Sequence, residues 1–212
     1  RIVVVGDDKQ VSPSAVGLNK QQLIDLRKQL LHDFDHGSTW EDPSVSFFDQ
    51  ARVRTPDVIT LREHFRCVPE IIEFSNRIAY EPDRVPLKPM RQYGKDRLEP
   101  IRTVYVEDGY TKGRTQNKVN PPEIERVISE IVRCNSDPDY EGKTFGVISL
   151  TGRGQAAKIE RELLETLGPT TYRDRDLRCG DATAFQGSER DVMFLSMVAA
   201  PEPGRRLQAL TS

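Results

Sequence analysis

The sequence predicts an α/β protein with a mostly parallel sheet and helices on both faces. Apolar, β-branched runs typical of buried strands alternate along the chain with amphipathic helical patterns. Polar segments follow the ends of several of these runs, at residues 6–10, 62–66, 151–155 and 181–191. Because ligands of parallel sheets bind beyond the carboxyl ends of the strands, these four segments are the candidate functional loops.

The first part of the chain is predicted to form a strand, a polar loop and a helix. Residues 2–5 are a run of Ile and Val, which favours a buried strand. Residues 6–10 then form a polar loop. Leucines recur with helical spacing over residues 21–34, which predicts an amphipathic helix.

Residues 36–80 are predicted to hold two helices and one short strand. A short helix is expected near residues 46–51, within a segment that is otherwise rich in turn residues. The apolar run at residues 58–61 predicts a strand. Pro69 suits the first turn of a helix, and apolar residues continue with helical spacing as far as Tyr80.

The middle of the chain repeats the alternation of strand and helix. Residues 103–106 predict a strand. Asn120 is a suitable N-cap because prolines follow in the first turn and Glu123 stands three residues later, so a helix should begin here. Residues 145–150 predict a buried strand.

The last part predicts a helix followed by strands around a distinctive loop. The helix covers residues 153–167 and is closed by the Gly-Pro pair that follows. A further short strand is expected to begin at residues 171–172. Strand-like runs at 178–180 and 192–198 then flank the loop 181–191, where hydrogen-bonding side chains are dense around a glycine. That density suggests a loop that holds a ligand.

The composition limits the classes of function. The 212 residues include 31 basic and 33 acidic side chains, and a net charge of −2 excludes a broadly cationic nucleic-acid coat but permits a local basic groove. Cys67, Cys134 and Cys179 are too scattered for a disulfide framework or a zinc site. No apolar run reaches the ~18 residues of a membrane span, and we expect a cytoplasmic protein with reduced thiols.

Four motifs in order resemble those of superfamily 1 helicases. Residues 4–10 (Val-Val-Gly-Asp-Asp-Lys-Gln) resemble motif III. Residues 61–72, which contain Phe-Arg-Cys-Val-Pro, resemble motif IV of the branch that includes the nonsense-mediated-decay helicase. Thr151 and Gln155 resemble that branch's strand-end Thr…Gln motif, and residues 184–191 (Ala-Phe-Gln-Gly-Ser-Glu-Arg-Asp) resemble its motif V. Four motifs in register are far more specific than any one of them.

The resemblance implies a RecA-like P-loop NTPase fold of the AAA type, and specifically the second RecA-like domain (2A) of an ATP-dependent DNA or RNA helicase. Residues 1–16 would end domain 1A, residues 17–56 would form a helical connecting segment, and residues 57–212 would form domain 2A, truncated before motif VI. The implied cofactors are ATP and Mg²⁺. The implied partners are single-stranded DNA or RNA and an N-terminal RecA-like domain, with no membrane.

The sequence contains no Gly-x-x-x-x-Gly-Lys-Ser/Thr phosphate loop, and we find no magnesium-binding Asp-Glu pair of the family and no motif VI in it. Since phosphoryl transfer depends on these parts, we expect the 212 residues alone to be inactive as an ATPase. Two other functions remain open. One is a non-catalytic RecA-like interaction or regulatory domain, and the other is the loader half of a helicase–nuclease fusion.

The resemblance assigns the catalytic roles to Gln10 and Arg66. Gln10 can bond both a γ-phosphate oxygen and a water, and the forked guanidinium of Arg66 suits an arginine finger. Phe65 would stack on the adenine. The alternatives are a solvated loop glutamine, a salt bridge between Arg66 and Glu63 or Glu70, and a phenylalanine in the core.

Motif V supplies the other implied nucleotide contacts. Gly187 would let the backbone approach a phosphate or ribose, Glu189 would accept from a ribose hydroxyl, and Gln186 would bridge towards the other domain. Arg190 and Asp191 are better explained as locally paired side chains.

The implied nucleic-acid contacts are Thr151, Arg153, Gln155, Thr183 and Pro13. Helix N-terminal amides together with the Thr151 hydroxyl form a natural phosphate site, although Thr151 could equally cap the helix. Contacts to backbone phosphates carry no sequence information, so we expect sequence-independent binding of a single strand.

Overall fold

The computed structural model describes residues 2–10, 18–55, 57–91, 97–114, 117–151 and 153–202. The chain divides into two compact units, residues 1–94 and 95–212. The domain boundaries implied by the helicase resemblance, at residues 16 and 56, stay a prediction. Within the described ranges, no helix combines the length and the apolar character that crossing a membrane requires.

Helices dominate the first unit. They are α1 (Lys20–Leu30), α2 (Phe47–Arg54) and α3 (Pro69–Ser75), and α3 continues into a π-helix at Asn76–Tyr80. A 3-10 helix at Gly37–Glu41 lies between α1 and α2. The short helix predicted near residues 46–51 is confirmed as α2, which begins at a capping box: the Ser46 hydroxyl accepts from the Asp49 N–H, and the Asp49 carboxylate accepts from the Ser46 N–H.

Two very short strands precede and follow α3 and its π-helix. They are β1 (Glu63–His64) and β2 (Lys88–Pro89), which pair in parallel. Asn76 aligns β2 because its side chain donates to the carbonyl of Leu87 (2.9 Å) and accepts from the N–H of Leu87 (2.8 Å). The pairing of β1 with β2 is therefore supported by hydrogen bonds from the Asn76 side chain. Strand propensity in the sequence does not predict such a contact.

Three predicted strands do not form. Residues 2–5, 58–61 and 103–106 carry no strand, and the side chains of Ile2 and Ile59 are 87% and 89% exposed. A β-branched run becomes a strand only where a neighbouring strand pairs with it. Among the described residues these three segments have no ladder partner, so their propensity is not realised.

The second unit alternates helix and strand. Its elements are α4 (Pro121–Ser136), β3 (Phe145–Ser149), α5 (Arg153–Asp174), β4 (Arg178–Gly180) and β5 (Val192–Ser196). The three strands form a fully parallel sheet in the order β4-β3-β5, with Ile148 opposite both Gly180 and Leu195. The predicted parallel α/β architecture is confirmed here.

The core of the second unit lies between the sheet and two helices. Helices α4 and α5 contact each other and the strands. The buried side chains are Ile124, Ile131 and Cys134 of α4, Phe145 and Val147 of β3, Ile159 and Leu163 of α5, and Leu177. Each large apolar side chain buried in this way stabilises the fold by about 1.5–3 kcal/mol. In the described part of the first unit, by contrast, Ile72 is the one buried hydrophobic side chain.

The helix ends of the second unit follow the sequence signals, with one exception. The Asn120 side chain accepts from the N–H of Glu123 (3.4 Å), as its N-cap position predicts. Helix α5 is interrupted at Gly168, which has φ 77° and ψ 160°. The strand predicted at residues 171–172 is wrong, because Pro169 suits the first turn of a further helical stretch that runs to Asp174.

Candidate functional site

The candidate sensor Gln10 lies in a loop organised by the carboxylate of Asp7. This carboxylate accepts from the Lys9 N–H (2.9 Å), from the Gln10 side-chain Nε2 (3.0 Å) and from the Tyr80 hydroxyl (2.8 Å). Burial alone would raise the pKa of Asp7, but these hydrogen bonds outweigh it and lower the pKa below its usual value. Asp7 is therefore a stable anion that fixes the Gln10 amide.

Ion pairs tie the same loop to two other parts of the first unit. Asp8 pairs with Arg52 of α2, and Lys9 pairs with Asp83 in the turn that follows the π-helix. The hydrogen bond to Asp83 raises the pKa of Lys9 and lowers that of Asp83. The backbone that leads into Gln10 is thus attached to two other segments of the unit by charged groups.

The loop that carries Arg66 is held through its backbone, while its side chains remain exposed. The Nε2 atom of His64 accepts from the Cys67 N–H (2.9 Å), and Arg91 donates to the carbonyl of Arg66 (2.7 Å). Burial, aided by the charge of Arg66, lowers the pKa of His64 and favours the neutral imidazole that can accept this bond. Phe65 is 66% exposed, so it is not a core residue.

Three segments meet at the carboxyl edge of the parallel sheet in the second unit. Thr151 follows β3, and its hydroxyl donates to the carbonyl of Met197 beyond β5 (3.3 Å). Arg153 begins α5 and donates to the carboxylate of Asp181 beyond β4 (2.9 Å). A hydrogen bond from the Ala184 N–H, and then the Arg153 side chain, lower the pKa of Asp181. The turn at Thr151 and the loop 181–191 therefore lie next to each other and form one continuous surface.

Gln155 does not belong to that exposed surface. Its side chain is fully buried, donates to the Ser196 hydroxyl (2.9 Å) and to Glu123 (3.2 Å), and accepts from the Asn120 N–H (2.7 Å). The predicted contact between Gln155 and nucleic acid is corrected, because the amide is committed to internal hydrogen bonds. Gln155 instead joins α4, α5 and β5.

Glu123 continues this buried network to the end of β5. Its carboxylate accepts from the N–H of Met197 (2.7 Å) and from the N–H of Val198 (2.9 Å). Val198 has φ 61°, a left-handed conformation that is strained for a β-branched residue. The carboxylate thus stabilises an unusual turn next to the Thr151 hydroxyl.

The motif V loop presents its polar side chains on the outside. It contains a 3-10 helix at Ala182–Phe185, and Thr183, Gln186 and Glu189 are exposed. Gly187 has φ 76°, which favours glycine, and, its two chain neighbours aside, no atom of the described residues lies within 4 Å of where its Cβ would be. The glycine is required by its backbone conformation, and the space beside it is open.

The side chains of Arg190 and Asp191 form hydrogen bonds within the second unit. Arg190 donates to the carbonyl of Asp176 (2.6 Å) and pairs with its carboxylate (3.2 Å). The Asp191 carboxylate accepts from both the N–H and the hydroxyl of Thr144 (2.8 Å each). These bonds tie the end of the loop to Thr144, just before β3, and to Asp176, just before β4. Both side chains are paired, as predicted, but these partners lie outside the loop and not locally within it.

The structure thus places the predicted residues in two groups. Gln10, Phe65 and Arg66 belong to the first unit. The second unit brings together the turn with Thr151 and Arg153 and the loop with Thr183, Gln186, Gly187 and Glu189. Pro13 lies outside the described residues.

Sequence reasoning missed Asp7, Tyr80 and Glu123. The sequence does contain a local signal for Asp7, because an Asp side chain readily accepts from the backbone N–H two residues on, here that of Lys9. The Gln10 side chain, three residues on, is also within reach of Asp7. The sequence pattern indicates Glu123 only as part of a helix start. In the described part of the chain, no group of three or more His, Cys, Asp and Glu side chains is placed to hold a metal ion.

The parallel sheet with polar loops at its carboxyl edge agrees with a RecA-like P-loop fold. A family model described as an AAA domain matches residues 44–207, which is most of the chain. The chain therefore belongs to this AAA domain family. No curated protein matches its sequence significantly.

Proposed function

We propose that the chain is the C-terminal part of an ATP-dependent superfamily 1 helicase or translocase, of the branch that includes the nonsense-mediated-decay helicase. It would contribute part of the ATP site and part of the path of a single strand. The observation that carries this proposal is the Arg66 loop. His64 and Arg91 hold its backbone, while Phe65 and Arg66, which are consecutive in the sequence, are both exposed.

The donor set of the first unit suits a nucleoside triphosphate. Gln10 offers an amide and Arg66 a permanently charged fork of N–H donors, both of which are ligands for phosphate oxygens. The exposed ring of Phe65 is a surface on which a base can stack. When bound with Mg²⁺, ATP supplies the phosphoryl group for transfer. Arg66 would neutralise charge on that group, and Gln10 would orient a water.

The second unit supports the proposed strand path. Thr151 and Arg153 lie at the start of α5, next to the loop that contains Thr183. A hydroxyl and a guanidinium at this edge can contact backbone phosphates, which gives binding without sequence preference. Gln186, Gly187 and Glu189 stay predicted nucleotide contacts of the same loop.

Substitution of Arg66 tests the proposal in the full-length natural protein. We expect Arg66→Ala to lower the ATP turnover stimulated by single-stranded DNA by about a thousandfold, because arginine fingers contribute at least that much to phosphoryl transfer. Arg66→Lys should recover little, since an ammonium lacks the planar fork.

Arg77→Ala is the matched control. Its side chain is 74% exposed in the same unit and pairs with Glu73 at the surface, so turnover should not change. Unchanged turnover in Arg66→Ala would contradict the proposal and favour a non-catalytic interaction or regulatory domain.

A further inference from the structure

Tyr80 contacts the Gln10 loop although it lies 73 residues away from Asp7 in the sequence. Its hydroxyl donates to the Oδ2 atom of Asp7 (2.8 Å), and the Gln10 Nε2 atom donates to the same oxygen (3.0 Å). One carboxylate oxygen therefore joins the tyrosine to the candidate sensor. Motif resemblance assigns Tyr80 no role.

A π-helix places Tyr80 at this position. The Glu81 N–H donates to the carbonyl of Asn76 (2.9 Å), which is the i→i+5 bond of a π-helix. Such helices are rare and recur at functional sites. The turn is fixed at both ends, because Asn76 clamps the backbone of Leu87 and the Tyr80 carbonyl accepts from the Val85 N–H (3.0 Å).

The hydrogen bond to Asp7 decides what the Gln10 amide can offer. An amide has two N–H groups and one oxygen acceptor. With one N–H donated to Asp7, the second N–H and Oε1 have no hydrogen-bond partner among the residues that the structure describes, so the N–H can serve a phosphate oxygen and Oε1 a water. If the carboxylate of Asp7 rotated, the amide would turn with it, and the two remaining groups would change direction.

We propose that Tyr80 is a positioning residue that holds the Gln10 amide, through Asp7, in the orientation that γ-phosphate sensing requires. This inference rests on the proposed function. Burial and the bond to Asp7 raise the pKa of Tyr80 to about 12, so its hydroxyl remains a donor throughout the physiological range. Asp7 remains an acceptor because its own pKa is lowered.

A double-mutant cycle in the full-length natural protein tests the inference. Tyr80→Phe keeps the ring and removes only the hydroxyl. We expect this variant to lower the DNA-stimulated kcat by about tenfold, the loss that corresponds to one hydrogen bond to a charged group, and to leave the KM for ATP within about twofold. Tyr80→Phe combined with Gln10→Ala should be no slower than Gln10→Ala alone, because Tyr80 acts through Gln10.

Thermal unfolding of each variant separates positioning from stability. A purely structural Tyr80 would lower the unfolding midpoint and make the two kcat losses multiply, and that result would overturn the inference. Tyr105→Phe is the matched control, since Tyr105 is 83% exposed and its hydroxyl is dispensable for the proposed contact.

The same set of variants distinguishes the two proposals. If Gln10→Ala and Arg66→Ala lower turnover but Tyr80→Phe does not, the inference about Tyr80 is wrong and the proposed function stands. If neither Gln10→Ala nor Arg66→Ala changes turnover, the proposed function fails, and the inference fails with it.

Discussion

Single side chains in this protein often act by fixing backbone next to a residue of interest. His64 is the clearest case, because its imidazole holds the turn that presents Arg66. The bond requires an unprotonated Nε2, since a protonated imidazole has no acceptor. The lowered pKa of His64 therefore links protonation of this residue to the shape of the Arg66 loop.

The stability of the first unit should consequently depend on pH through His64. Its pKa in the folded chain is lower than in the unfolded chain, so the unfolded chain binds more protons below the ordinary value of 6.5. The contribution of His64 is fully present above that value and is lost as the pH falls through the folded pKa. We expect His64→Gln to reduce the loss of stability between about pH 7.5 and about pH 5.5.

Circular dichroism melts at the two pH values measure this effect. His32→Gln is the control, because His32 is an exposed histidine that pairs with Asp33. If the wild-type protein and His64→Gln lost the same stability on acidification, the assigned role of His64 would be wrong.

Elements of the fold were predictable where their signals are local. The Asn120 cap, the Gly168 interruption and the apolar run of β3 depend on residues a few positions apart, and all three are confirmed. Pairing between strands is not local, which is why residues 2–5 and 58–61 were expected to be strands and are not.

For the candidate site, the motifs give the residue types and their spacing, and the ligand roles of these residues stay predictions. Phe65 and the motif V loop are exposed, but a motif contains no information on burial. Gln155 shows the difference, because its side chain has the right chemistry for a ligand and yet lies wholly inside the second unit. Tyr80 was missed because its contact with Asp7 spans distant parts of the chain.

Three elements of the second unit should depend on Gln155. Gln155→Leu keeps a similar volume but leaves the Asn120 N–H and the Ser196 hydroxyl without their partner, while Glu123 keeps its bonds to Met197 and Val198. Each buried polar group left unpaired costs about 1–3 kcal/mol, so we expect a loss of about 2 kcal/mol or more. Chemical denaturation followed by circular dichroism measures it.

Gln21→Leu is the matched control for this substitution. Gln21 lies on the exposed surface of α1 and donates to Asp25, and its replacement should change stability by less than about 0.5 kcal/mol. A Gln155→Leu protein as stable as the control would show that the buried network does not join the three elements.

At the scale of the whole molecule, the charge balance determines what kind of strand binding is feasible. A net charge of −2 provides no general attraction to a polyanion, so the proposed strand binding would depend on local cations such as Arg153. Asp181 partly neutralises this side chain through their ion pair. The attraction of Arg153 for a phosphate should therefore be weaker with Asp181 present than without it.

The proposed strand path predicts opposite effects for the two partners of this pair. Arg153→Ala should weaken binding of single-stranded oligothymidine and reduce the slope of log K against log salt by about 0.7, the value for one phosphate contact on a single strand. Asp181→Asn should tighten binding, because it removes the competing charge while an amide oxygen can still cap the 3-10 helix. Fluorescence anisotropy over about 50 to 200 mM salt measures both effects.

Arg161 is an exposed arginine further along α5. The Arg161→Ala variant should change neither the affinity nor the salt slope if binding is local to the carboxyl edge of the sheet. Equal losses for Arg153→Ala and Arg161→Ala would instead mean diffuse electrostatic attraction. Weaker binding in Asp181→Asn would place Asp181 itself in contact with the strand. Only tighter binding in Asp181→Asn, together with weaker binding in Arg153→Ala, identifies this edge as a strand path with Arg153 as its phosphate contact.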